Sequence, residues 1–327
     1  MNHVERFRAV MSFQPVDRLP RWEWATWWDQ TIARWHSEGL PSALADPFSI
    51  GQHFELDPYK QFWWGAMDRG HEAAQRLARQ VGNHDDYNAL GPALFPIPNV
   101  GSMAEWRDRQ AQGDAVVWIT LEGFFWFPRE LMGFERLFLA YYDQPDLIHR
   151  INSELLDYNL QVLEAVGRQC VPTFMTLAED MSYNHGPMIS QAIFDEFMAP
   201  CYRALLERAH EMGLVTIVDT DGDVTLMVPW LIEAGVDGVL PLERQAGVDG
   251  ETLRDAFPRL RMIGHFDKMT MPRGEEAMRA EFERLLPLMR SGGYIPGVDH
   301  QTPPGVSLEQ YRIYRRLLDE YTARACH

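Results

Sequence analysis

Five places in the second half of this 327-residue chain put carboxylates or histidines directly after short apolar runs. In order they are Glu179 and Asp180, Asp219 and Asp221, Glu243, His265 and Asp267, and Asp299 and His300. Gathered in one concave space, such groups raise each other's pKa, and burial raises the carboxylates further. The cluster then asks for a cation, a bound proton or a metal. Carboxylate oxygens mixed with imidazole nitrogen suit zinc or another divalent ion, with Asp219, Asp221 and His300 as candidate ligands. Without a metal, the same set suits paired acid and base work. Glu179, Asp180, Glu243, Asp267 and His300 are the candidate catalytic groups. Tyr183, His265 and Lys268 are candidate substrate contacts, joined by Trp24 and Trp28 from an aromatic-rich first third. Aromatic side chains line apolar pockets as well as fill cores.

Other chemistries find less support. The run Asp219-Thr220-Asp221-Gly222-Asp223 is no EF-hand loop, because its glycine is misplaced and no Glu follows at the required offset. Asp223 reads there as a helix cap. Cys170, Cys201 and Cys326 fall in helices or at the terminus, away from any activating group. No Gly-x-Ser-x-Gly elbow occurs.

Repeating strand and helix units must position these residues. Residues 145–168 predict a helix from the three-and-four spacing of Leu147, Ile151, Leu155, Tyr158, Val162 and Val166. A strand over 171–177 and a polar turn over 179–186 follow. A helix over 190–212 comes next, with Ser190 as N-cap and Gly213 as stop. The alternation continues with strands at 214–218, 238–242, 260–264 and 293–297. Helices follow them at 224–233, 250–257, 275–290 and 307–321. Earlier strands are expected at 18–24 and 116–121, with a weaker one between.

Such alternation means βαβ units and a parallel sheet. Eight strands closing into a single (β/α)8 TIM barrel over residues 1–327 is the expectation, with an N-terminal extension or insertion. Residues 1–110 would include irregular cap and loop segments. In a barrel the residues just after the strands share one face, so the acids and histidines are read as one group. A doubly wound open sheet is the rival. No strand is followed by G-x-G-x-x-G and no P-loop motif occurs, so a nucleotide-binding version is unsupported.

The net charge of −17 argues against nucleic acid, whose phosphates need clustered Lys and Arg, and against anionic membranes. No apolar run reaches the roughly 20 residues of a membrane span. Residues 1–13 lack an apolar signal core. Three widely spaced cysteines, an odd number, fit a reducing compartment, so a cytoplasmic location is expected. A small molecule is the expected partner, and a homodimer is compatible with the chain.

Several segments resemble the uroporphyrinogen decarboxylase superfamily. They are Glu5-Arg6-Phe7 through Pro15-Val16-Asp17-Arg18-Leu19-Pro20, Trp35-His36-Ser37-Glu38-Gly39-Leu40-Pro41, Glu179-Asp180-Met181-Ser182-Tyr183-Asn184 with Gly186-Pro187-Met188-Ile189-Ser190, and Gly292-Gly293-Tyr294-Ile295-Pro296 with Asp299-His300. The resemblance implies a (β/α)8 barrel and one of two chemistries. One is cofactor-free decarboxylation of uroporphyrinogen. The other is methyl transfer to or from a corrinoid, with zinc activating the methyl donor or acceptor.

Within that resemblance, the arginine-bearing segment of true decarboxylases is replaced by Trp22-Glu23-Trp24-Ala25-Thr26-Trp27-Trp28, with no arginine until Arg34. An acidic, aromatic cup also suits a polycarboxylate poorly. The thiol-specific methyltransferases carry His-x-Cys-Gly and a later cysteine. Here Asp219-Thr220-Asp221-Gly222 and Asp299-His300 stand at those places. An oxygen and nitrogen site is a harder Lewis acid, matched to a methoxy or hydroxyl oxygen. The resemblance thus implies a metal-assisted methyltransferase, moving a methyl group between a small methoxylated substrate and a corrinoid on a partner protein. The alternatives are a decarboxylase or lyase acting on a small organic acid, with or without a metal, and a non-catalytic small-molecule binding module.

Overall fold

The computed structural model describes residues 1–326. Seven strands form one parallel sheet in chain order: β1 (Tyr59–Trp64), β2 (Val116–Glu122), β3 (Phe174–Ala178), β4 (Val215–Asp219), β5 (Gly238–Leu240), β6 (Arg261–Phe266) and β7 (Tyr294–Val298). β2, β3 and β7 are buried along their whole length, as a parallel sheet covered on both faces requires. The register sets Gln61 beside Trp118, Ala178 beside Asp219, and Asp219 beside Leu240. The strand ends that carry the acids are therefore level with one another.

The helices between strands follow the sequence pattern closely at Pro145–Gln169, Gly250–Ala256, Glu275–Arg290 and Leu308–Arg324. Ser307 and Gln310 close a capping box on the last of these, satisfying two end groups at once. The helix expected over 190–212 is interrupted. A wide turn over Phe194–Met198 separates Gln191–Ile193 from Ala199–Glu211. Pro200 explains it, since it lacks an N–H and its ring crowds the carbonyl four residues back.

The eighth strand expected at 18–24 does not form, so the closed eight-stranded barrel is replaced by a curled sheet of seven strands among the described residues. Pro20 cannot donate to a ladder. Residues 21–27 instead lie between β7 and β1 and bond to both. The Arg21 carbonyl accepts from Asp57 N, the Trp24 indole donates to Val298 O at 2.9 Å, and the Tyr59 hydroxyl donates to Glu23 O at 2.6 Å. Below them Phe7, Trp22, Phe174 and Trp118 stack across the interior with centroids 4.8–5.8 Å apart. This aromatic stack fills the interior, and its Trp118 also reaches the cavity that the acids line. No helix among the described residues is long and apolar enough to cross a membrane.

Candidate functional site

A cavity of about 300 Å³ opens over the C-terminal ends of the strands. Asp180, Asp219, Asp221 and His300 meet in it, and Trp24, Trp63, Trp118 and Trp126 form much of its wall. Gln61, Thr26 and Gln301 complete the polar lining. Asp180 has φ +44° and Thr26 φ +60°, a left-handed backbone that costs a non-glycine residue free energy and gathers at functional sites.

The loop after β4 is fixed from several sides. Ser182 Oγ donates to the Asp221 carbonyl at 2.6 Å, and Thr220 Oγ1 accepts from Met181 N at 3.0 Å. Gly222 N donates to Glu243 Oε2 at 2.9 Å. Gly222 has φ +83°, and a Cβ there would lie 2.5 Å from the Tyr183 backbone. Only glycine fits. Asp221 is thereby held with one carboxylate oxygen 3.5 Å from His300 Nε2.

Charge in the cup is unevenly matched. Asp221 raises the pKa of His300, against burial. Asp180 sits 3.4 Å from Arg129, yet burial and Asp221 still push its carboxyl upward. Asp219 is raised well above the usual carboxylate range, by burial first and then by Asp221 and Asp180. Among the described residues, no side chain or backbone donor bonds to its carboxylate. Glu243 stands behind Asp221, raised by burial and by Asp221 and opposed by the Gly222 N–H and Lys268. Lys268 Nζ lies 3.2 Å from Asp299 and 3.9 Å from Glu243.

Several sequence candidates stand elsewhere. Glu179 is completely buried and accepts from Phe124 N, Phe125 N, Trp126 N and the Tyr202 hydroxyl at 2.6–3.0 Å. It anchors the turn that carries Trp126, and no lone pair is left pointing into the cup. Glu179→Gln, which turns an amide N–H₂ toward these donors, should lower stability by about 2 kcal/mol. Urea unfolding measures this, and an unmoved midpoint would return Glu179 to the candidate catalysts.

His265 is buried with Nδ1 2.9 Å from Leu242 O. That carbonyl needs the proton on Nδ1, leaving Nε2 to accept from Gly250 N at 3.0 Å. Burial and then Arg284 lower its pKa to about 4. It is a neutral structural ring below the cup lining. Asp267 accepts from Met269 N and Gln245 Nε2, closing a turn. Trp28 and Tyr183 are half-exposed and do not reach the cavity wall.

Asp219, Asp221 and His300 do not fit a preformed metal site. Among the described residues no three His, Cys, Asp or Glu side chains form a group able to hold an ion. Asp221 is turned to His300, and the free cysteines lie at Cys170, Cys201 and Cys326, outside the cup. Sequence reasoning missed Gln61, Trp118, Trp126 and Arg129. Gln61 and Trp63 are two apart on β1, so the period of a strand already put them on one face.

No curated protein matches the chain. The fold is similar to that of a methyltransferase from Methanosarcina mazei, with a TM-score of 0.68 at 16% identity, covering 98% of this chain and 99% of that one. A B12-independent methionine synthase from Shewanella sp. W3-18-1 aligns more loosely, with a TM-score of 0.42 at 15% identity over 68% of this chain and 65% of that one. Residues 103–321 match the family described as uroporphyrinogen decarboxylase (URO-D). That span holds six of the seven strands and all four charged residues of the cup. The chain belongs to the uroporphyrinogen decarboxylase family.

Proposed function

We propose that the chain is a methyltransferase, passing a methyl group between a small substrate held in the cup and a corrinoid brought by a separate partner protein. The observation that carries this reading is the meeting of Asp180, Asp219, Asp221 and His300 inside four tryptophans, over the strand ends where barrel enzymes keep their chemistry. The fold shared with the Methanosarcina mazei methyltransferase agrees with it. A polycarboxylate, the substrate of a decarboxylase reading, finds no arginine among the residues lining the cavity, and Arg129 is turned to Asp180.

The corrinoid would supply the centre that accepts or donates the methyl group. The chain's own residues do the rest. The tryptophans hold the methylated group and keep water out. Asp221 keeps His300 protonated, and His300 gives that proton to the heteroatom as the methyl group leaves. Glu243 and Lys268 hold the Asp221 loop from behind, and a methoxy oxygen is one heteroatom the imidazolium can serve.

The test incubates the full chain with reduced cobalamin and a panel of methylated small molecules carrying deuterium in the methyl group. Label should reach cobalamin, and the rate should fall at least tenfold in His300→Ala. Label transfer that never exceeds the protein-free rate, for every donor class, would overturn the reading.

A further inference from the structure

The charges around the cup do not balance. Three aspartates, Asp180, Asp219 and Asp221, face it. Two cations answer them: Arg129 against Asp180 and His300 against Asp221. Among the described residues, neither Lys nor Arg lines the cavity itself. Asp219 is the acid left over. It lines the cavity, and among the described residues no donor bonds to its carboxylate.

The walls around that unmatched charge are aromatic. Trp63 and Trp126 lie with centroids 6.4 Å apart and planes inclined at 55°, forming an open corner. Trp24 stands edge-on to His300 at 6.0 Å. Tryptophan faces attract cations more strongly than other rings do, most of all where water is excluded. A weakly hydrated methylated cation gives up little on entering such a place, and about 300 Å³ is at the small end of ligand pockets.

We propose that the cup recognises a methylated organic monocation, a quaternary ammonium or tertiary sulfonium head, with Asp219 as its counter-charge and the tryptophans as its walls. The inference deepens the methyl-transfer reading and rests on it only for the fate of the methyl group. In that step one C–N or C–S bond breaks and its electron pair stays on nitrogen or sulfur. The methyl group passes to the nucleophile of the proposed reaction. A freed amine then takes the proton of His300, and a freed sulfide departs neutral.

Choline and 3,3-dimethyl-1-butanol have nearly the same shape and differ by one positive charge, so titration calorimetry with this pair isolates the charge. Choline should bind the full chain saturably and at least roughly tenfold more tightly than the alcohol. Asp219→Asn should remove that preference. Trp63→Leu alters a half-exposed residue and so a variant expected to fold; it should weaken choline severalfold while leaving the alcohol unchanged. Equal binding of the two probes, or tighter binding of 4-methoxybenzoate than of choline, overturns the proposal. Charge-selective binding of choline without any label reaching cobalamin upholds cation recognition and sinks the methyl-transfer reading instead.

Discussion

Asp221→Asn should lower kcat/KM for methyl transfer by about two to three orders of magnitude and move the alkaline limb of the pH profile toward lower pH. The carboxylate 3.5 Å from His300 is the main cause of that ring's raised pKa. The sign follows directly. A histidine raised by an anion stays protonated at higher pH than a free one, so activity that needs the imidazolium falls as pH rises through the raised value. Removing the anion brings that fall earlier, into the range of an ordinary histidine. His300→Ala should remove the limb altogether while leaving any acidic limb in place.

Two losses combine in Asp221→Asn: the acid is less protonated, and the cup loses a negative charge from its centre. Profiles of kcat/KM against pH for the two variants separate them. If the limb stays put in Asp221→Asn, the pair is structural and proton delivery must be assigned to another group. If Glu243→Gln shifts the limb in the same direction by a smaller amount, the field of the whole acidic group is at work, since Glu243 also helps raise His300.

The alternation of strands and helices was legible in the sequence because the helices bury one apolar face while the strands, covered on both faces, read as short continuous apolar runs. The strands at 116–122, 174–178, 215–219, 261–266 and 294–298 lie within a few residues of their expected places. Convergence of Asp180, Asp219, Asp221 and His300 followed from the same pattern, because parallel strands deliver their next residues to one side. What the pattern could not supply was the direction of a side chain within a turn. Glu179 and Asp180 are neighbours, yet one is swallowed by four donors and the other faces the cup. The left-handed backbone at Asp180 reverses the chain there, and no residue type announces it.

His265 failed for a similar reason. Its left-handed φ of +72° turns the ring under Leu242 and Gly250 rather than into the cavity. The missing eighth strand is a different lesson. A run of tryptophans reads as a strand by propensity, but Trp24 spends its indole N–H on Val298 O, and Pro20 breaks the ladder at its start. Trp63 comes from β1, and Trp118 and Trp126 come from β2 and the helix that follows it, more than 50 residues later. Only tertiary closure brings them into one wall.

Glu23→Gln should stabilise the fold at alkaline pH, by up to about 5 kcal/mol, and leave it nearly unchanged near pH 4.5. Glu23 is 1% exposed, and neither carboxyl oxygen has a hydrogen-bond partner in good geometry. The hydroxyls of Tyr311 and Tyr314 on the last helix approach it and are equally unpartnered. Burial pushes its pKa up to about 8, while an unfolded chain releases the same proton near the model-peptide value of about 4.3. Between those values the folded state binds one proton more than the unfolded state. Stability is therefore full below the lower value and falls as pH rises toward the upper one. The amide has the size of the neutral carboxyl and nothing to ionise, so the variant should lack this slope. Urea unfolding across pH 4.5 to 9 reads the difference, and parallel curves for the two proteins would sink the argument. A carboxyl this costly sits in the segment that carries Trp24 and Thr26 into the cup. Folds keep such locally unfavourable groups where function needs them, so the stabilised variant should also be the slower catalyst.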